Sequence, residues 1–141
     1  MNKLFYVILL LFGLLSCGNG GSSANATPIA DDCVEIIYFH GKQRCPTCMA
    51  IERATKEVVN STFAKELGDK TIVFKVVDIT SPEGESLADE YQVSWSSLFV
   101  SQWRDGKEKR CNLTDFGFRH ARNNPEKFKQ GLTDTIRKYQ K

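Results

Sequence analysis

The chain has 141 residues, 41% of them hydrophobic, which is enough to bury the core of one domain and too few for two. Lys plus Arg number 19 and Asp plus Glu 17, for a net charge of +2 with both signs scattered along the chain. That near balance excludes the basic surface that nucleic-acid binding requires.

Lys3 precedes a nearly unbroken apolar stretch over residues 4–15, which closes in Leu14-Leu15-Ser16-Cys17. A spanning helix needs about 20 apolar residues, so this stretch reads as a secretion signal. A small residue before a cysteine resembles the lipobox of bacterial lipoproteins, which implies cleavage after Ser16 and lipid on Cys17. A signal peptide with an incidental cysteine is the plainer alternative. Residues 18–30 are mostly Gly, Asn, Ser, Ala and Thr and hold almost nothing to bury, so they read as a flexible tether. The expected division is a signal peptide at 1–16, a lipidated cysteine and tether at 17–31, and a folded domain at 32–141. Such a domain works in the cell envelope, anchored to a bacterial membrane and facing the periplasm, where disulfides persist.

Residues 34–39 are β-branched and aromatic and read as a buried strand. His40-Gly41-Lys42-Gln43-Arg44 follows as a polar loop, and then Cys45-Pro46-Thr47-Cys48. Pro46 suits the first position of a helix, because it lacks an amide hydrogen and its φ is already helical. From there Met49, Ile51, Ala54, Val58, Val59 and Phe63 recur at roughly helical spacing. Asn60-Ser61 predicts a bend, and Gly68 a left-handed cap where the helix ends. Residues 71–78 form the clearest strand. Ser81-Pro82-Glu83 opens a helix that carries Leu87, Ala88 and Tyr91 on one stripe and ends near Gln92. Residues 98–103 and 107–113 read as strands joined by Arg104-Asp105-Gly106, a strong hairpin signal. Asn124-Pro125-Glu126 starts a last helix with Phe128, Leu132, Ile136 and Tyr139 on one face. Phe116, Phe118 and Phe128 read as core.

With right-handed crossovers this order closes into an α/β fold, a four-stranded mixed sheet with helices on both faces. A Cys-Pro-Thr-Cys after the first strand, then Lys75-Val76-Val77-Asp78-Ile79-Thr80, Tyr91-Gln92-Val93 and the hairpin, resembles the thioredoxin fold over residues 32–141. The Cys-Pro-Xaa-Cys form is similar to that of glutaredoxins and some periplasmic disulfide oxidoreductases. Four stretches are similar to the ArsF-type thioredoxin-like lipoproteins: Tyr38-Phe39-His40-Gly41, Arg44 to Cys48 with Ile51-Glu52, Trp95-Ser96-Ser97-Leu98, and Phe118-Arg119-His120-Ala121-Arg122-Asn123-Asn124-Pro125. That family is known from arsenic-resistance operons as a nitrophenyl-arsenical nitroreductase subunit, and the resemblance implies electron supply in arsenical detoxification.

Cysteines three apart on the first turn of a helix can bond reversibly. The helix N-terminus favours thiolate over thiol, and Lys42 and Arg44 add positive charge, so Cys45 is the expected nucleophile and Cys48 the resolving thiol. The expected activity is thiol-disulfide exchange by a monomer with a protein or small-molecule disulfide partner, without a cofactor or resident metal. A permanent structural disulfide is one alternative, although so short a loop adds little stability. A non-catalytic accessory subunit that binds metalloids through thiols is another, with His40 or Cys111 as a third ligand to Cys45 and Cys48.

Thioredoxin-like chains usually carry a cis-proline before the third strand, and Ser96 or Ser97 stands there in this sequence. The serines predict a trans peptide and an opened space beside the sulfurs. Trp95, Ser96 and Ser97 are therefore the expected substrate-binding residues, with aromatic packing the alternative for Trp95. His40 is expected to be a solvated loop histidine more than a proton partner for Cys48. Cys33 and Cys111 are expected at opposite ends of the sheet, two strands or roughly 9 to 10 Å apart, unpaired, with Cys111 buried.

Overall fold

A computed structural model describes residues 32–141. The expected signal peptide, the expected lipidation site Cys17 and the expected tether lie outside the described residues. Strand β1 (Cys33–His40) is the centre of the sheet. It pairs in parallel with β2 (Ile72–Asp78) and antiparallel with β3 (Ser97–Arg104), and β3 pairs antiparallel with β4 (Lys107–Asn112). The order is β2-β1-β3-β4, the mixed sheet of the thioredoxin-like fold.

Because β1 is covered on both faces, its first seven residues are all buried and show no polar alternation. Val34, Ile36 and Tyr38 face α1 (Pro46–Thr62) and α5 (Pro125–Tyr139), packing with Ile51, Val58, Val59, Phe128, Leu132 and Ile136. Ile37 and Phe39 face the other way, onto Ala88 and Tyr91 of α3 (Pro82–Tyr91) and Phe99 of β3. Each large apolar side chain buried this way contributes about 1.5–3 kcal/mol. Among the described residues no helix is long and apolar enough to cross a membrane.

Local signals are realised closely. Ser81 caps α3 by accepting from the Gly84 amide at 3.0 Å, and Asn124 caps α5 by accepting from Lys127 at 3.2 Å. Asp105 and Gly106 take φ of 49° and 70°, the pair of left-handed residues a two-residue hairpin turn requires.

Four expectations need correction. The first helix breaks at Phe63, not at Asn60-Ser61, and a short α2 (Ala64–Gly68) follows. Asn60 and Ser61 stay helical because their side chains donate back to the Lys56 and Glu57 carbonyls, whereas Phe63 turns into the core at 2% exposure. Gly68 does not take the left-handed cap; Lys70 takes positive φ instead. Residues 114–120, assigned no element from the sequence, form α4 (Thr114–His120), whose Gly117 lets it lie against Ile51 of α1, where a Cβ would come within 3.1 Å. Phe118 of this helix is 38% exposed and not core, while Phe116 and Phe128 pack as expected.

Cys33 and Cys111 are both free. Cys33 is level with Trp103, and Cys111 is level with Val100 and hence with Ile36. They are therefore not at opposite ends of the sheet, but two strand spacings across and three residues along still separate them far beyond bonding reach. Cys33 is the buried one; Cys111 is half-buried, because β4 is an edge strand.

Candidate active site

Where β1 ends, the chain leaves the sheet through residues 41–44 and enters α1 at Cys45. Cys45 is the N-cap, with extended φ and ψ of −72° and 156°, and Pro46 opens the helix. A cap residue turns its side chain back onto the first free amides, and here the Cys45 Sγ accepts from the Cys48 N–H at 3.0 Å. This interaction, with the positive end of the helix dipole behind it, stabilises negative charge on that sulfur. Cys45 and Cys48 are joined as a disulfide with Cα atoms 5.0 Å apart. Cys45 is exposed and Cys48 is 6% exposed, so an incoming group meets Cys45 first.

Beneath the pair lies Tyr38, fully buried, whose hydroxyl donates to the Cys48 carbonyl at 2.7 Å. Burial pushes the phenol pKa up, with the neighbouring Ser96 hydroxyl and Arg44 charge acting the other way, so Tyr38 is a neutral donor.

Opposite the sulfurs runs the segment before β3. Trp95 is 68% exposed, and Ser96 and Ser97 are buried. Ser97 Oγ donates to the Trp95 carbonyl at 3.1 Å. No peptide bond among the described residues is cis. Gly41, Gln43, Cys48, Ser94, Trp95, Ser96 and Phe118 line an open recess of about 250 Å³. Phe118 reaches it because α4 is bound to the start of β3: Leu98 N–H donates to Thr114 Oγ1 at 3.1 Å and Leu113 N–H to the Leu98 carbonyl at 2.8 Å. A larger groove of about 720 Å³, between α1 and α5, is lined by residues such as Glu57, Lys129 and Arg137 and holds none of these groups.

The charges differ from the sequence expectation. Arg44 is not free beside Cys45 but forms an ion pair with Glu52, which also holds Lys56 at 2.6 Å. Lys42 stays exposed and, with His40, draws the Asp78 carboxyl down, after the larger effect of hydrogen bonds from Thr80. His40 Nδ1 lies 3.2 Å from its own neighbour's carbonyl, Gly41 O. Among the described residues no three His, Cys, Asp or Glu side chains stand together as a metal site.

The structure thus brings Cys45, Cys48, Trp95, Ser96 and Ser97 to one end of the sheet. Sequence reasoning missed Tyr38, Glu52 and Phe118. Glu52 carried a signal, since it lies seven residues after Cys45, two helical turns along the same face. Tyr38 carried a weaker one, in register with Ile36 on the helix side of β1.

Fold and site together define a class, a thioredoxin-fold domain with a Cys-Pro-Thr-Cys disulfide at the start of its first helix. No family model matches the chain, and no curated protein matches it. Among solved structures it is similar to a thioredoxin from Thermus thermophilus, at 22% identity over 71% of this chain and 74% of that one, TM-score 0.44. It is also similar to thioredoxin-2, a component of the malaria parasite protein secretion machinery, at 20% identity over 76% and 84%, TM-score 0.48. A thioredoxin from Trypanosoma brucei brucei aligns at 19% identity over 77% and 80%, TM-score 0.42.

Proposed function

We propose that this chain is a membrane-anchored, extracytoplasmic thiol-disulfide oxidoreductase that works through Cys45 and Cys48. The observation that carries this is the exposed Cys45 sulfur at a helix cap, 3.0 Å from the Cys48 amide and bonded to a buried Cys48. In the reduced protein the Cys45 thiolate attacks a partner disulfide. A Cys45–partner bond forms, the partner's own bond breaks, and one partner sulfur leaves as thiolate. Cys48 then loses its proton and attacks the Cys45 sulfur, which restores the internal disulfide and releases the second partner sulfur. Two electrons pass from the dithiol to the partner, and two protons complete its thiols. Run backwards, the same steps oxidise a partner dithiol.

Trp95, Ser96 and Ser97 are the proposed partner-contacting residues. The anchoring reading rests on the lipobox-like Leu14-Leu15-Ser16-Cys17 and the polar tether after it. It places lipid on Cys17 and the domain in the cell envelope, facing the periplasm. Motif similarity to the ArsF-type lipoproteins supports a role in supplying electrons for arsenical detoxification.

The test is trapping. Cys48→Ser leaves the attack intact and removes the resolving thiol, so it accumulates a mixed disulfide with its partner, and Cys45→Ser accumulates none. A permanent structural bond gives no trapped partner with either variant. Incorporation of labelled lipid into the full chain, lost in Cys17→Ala, tests the anchor.

A further inference from the structure

We propose that Tyr38 is a positioning residue for the dithiol, its hydroxyl fixing Cys48 so that the Cys48 amide stays aimed at the Cys45 sulfur. The inference rests on the redox reading above and deepens it.

Cys48 is held at both ends of its own backbone. Its N–H points at Cys45 Sγ at 3.0 Å, and its carbonyl accepts from Tyr38 at 2.7 Å. Inside an α-helix a carbonyl already accepts from the amide four residues on, so the phenol is a second donor that the helix itself does not need. Tyr38 comes from the central strand, and its ring is locked in the core at 0% exposure. The bond therefore pins the first turn of α1 to a strand that is paired on both sides. Strand pairing leaves β1 no freedom to follow if that turn frays.

The geometry matters because a cap interaction weakens steeply with angle and distance. Fraying of a helix end is the ordinary behaviour of a first turn. In the oxidised protein the disulfide closes the turn, whereas in the reduced protein that restraint is gone and the phenol remains. Its effect is therefore largest in the state that attacks. The same phenol borders Ser96, so one buried side chain touches the strand, the helix start and the loop facing the sulfurs. The charged groups around this end are Lys42 and Arg44 of the loop, Glu52 of α1, His40 of β1 and Asp78 of β2. None of them changes on removing a single phenolic oxygen.

The experiment follows thiolate absorbance near 240 nm against pH in the full-length reduced chain, for wild type and Tyr38→Phe, with Cys45→Ser versions as the blank. Losing the pin raises the Cys45 midpoint by about half a pH unit or more, the size expected from weakening one hydrogen bond to a charged group. It also shifts the equilibrium with glutathione toward the disulfide form. Superimposable titrations with only a lower Tm would overturn the proposal and leave Tyr38 as a core hydroxyl that has found a partner. If Tyr38→Phe does not fold, 3-fluorotyrosine placed at position 38 alone keeps the ring and strengthens the donor. The midpoint then falls, and an unmoved midpoint again overturns the proposal. A wild-type chain that exchanges no disulfide at all sinks the redox reading instead, so the two failures are told apart.

Discussion

The guanidinium of Arg44, one residue before the exposed Cys45, is tied to Glu52 two turns into the helix that Cys45 caps. Glu52 thereby cancels charge that would otherwise favour a thiolate. Glu52→Gln frees Arg44, so the Cys45 midpoint falls by roughly a few tenths of a unit, the scale of a partly exposed ion pair. The rate of iodoacetamide alkylation below the midpoint rises with it. A midpoint that stays put or rises shows that Arg44 does not act on the sulfur.

Trp95 and Phe118 both line the recess that contains Cys48. Neither is needed for the core, since both are exposed. Replacing Phe118 by Ala should slow exchange with a protein disulfide by about fivefold, the worth of part of one buried ring. Exchange with a small, hydrophilic disulfide should be unaffected. Equal slowing for both substrates would mean that Phe118 supports the site's structure and not its docking.

Gly131 of α5 lies under the Phe116 ring, where an added Cβ would come within 2.4 Å of Cζ. That ring also stacks on Phe128 at 6.0 Å and meets the His120 ring at 4.9 Å, so it cannot swing away freely. Overpacking costs about 1–3 kcal/mol. Alanine returns about 1 kcal/mol of helix propensity. A net loss of about 1 kcal/mol is expected for Gly131→Ala in urea denaturation, and a gain in stability would show that the ring moves at little cost.

Arg110 stacks over the Tyr91 ring at 3.6 Å and bonds both Glu108 and Glu90. Burial works against charge on Glu108, but hydrogen bonds from Arg110 and Tyr91 outweigh it and hold the carboxyl below its ordinary 4.5. A depressed folded pKa contributes stability that is present above the unfolded value and lost as pH falls through the folded one. Stability should therefore decline from about pH 4.5 downward, with Asp69 and Asp78, also depressed by threonine hydrogen bonds, adding to the loss. Glu108→Gln should show a smaller drop between pH 6 and pH 3, read as the shift in urea midpoint. An unchanged drop would remove Glu108 from the account.

Burial, with the Glu35 charge next, pushes the Cys33 thiol up, and Cys33 is 4% exposed. Cys111 is half-buried on the edge strand. Under native conditions Cys111 should alkylate well before Cys33, and both should label after unfolding without reductant. Mass spectrometry of the timed reaction decides it; equal rates would mean that the start of β1 opens readily.

Much of this was legible in the residues because it is decided within a turn or a strand. Pro46, Pro82 and Pro125 marked three helix starts, Asp105-Gly106 marked the hairpin, and the spacing of Phe128, Leu132, Ile136 and Tyr139 marked the buried face of α5. The bend was misplaced because Asn60 and Ser61 look like helix breakers, while the burial of Phe63, where the helix actually breaks, depends on the core. Helix α4 was missed because its seven residues, about two turns, are too few to repeat an apolar stripe, and what holds it is Gly117 against Ile51 and Thr114 against Leu98.

By itself the sequence determined that Cys45 and Cys48 share the first turn of a helix that follows a buried strand, since capping and periodicity act over a few residues. Only the tertiary structure decided what stands around them. Tyr38 lies under Cys48, Glu52 takes the charge of Arg44, and Phe118 leaves the core for the recess. Each of these depends on the register of β1 against β3 and on the seating of α1 and α4 over the sheet. Such distances are set by the whole core at once, and the local pattern carries no more than the spacing of Glu52 from Cys45 and the face of β1 on which Tyr38 lies.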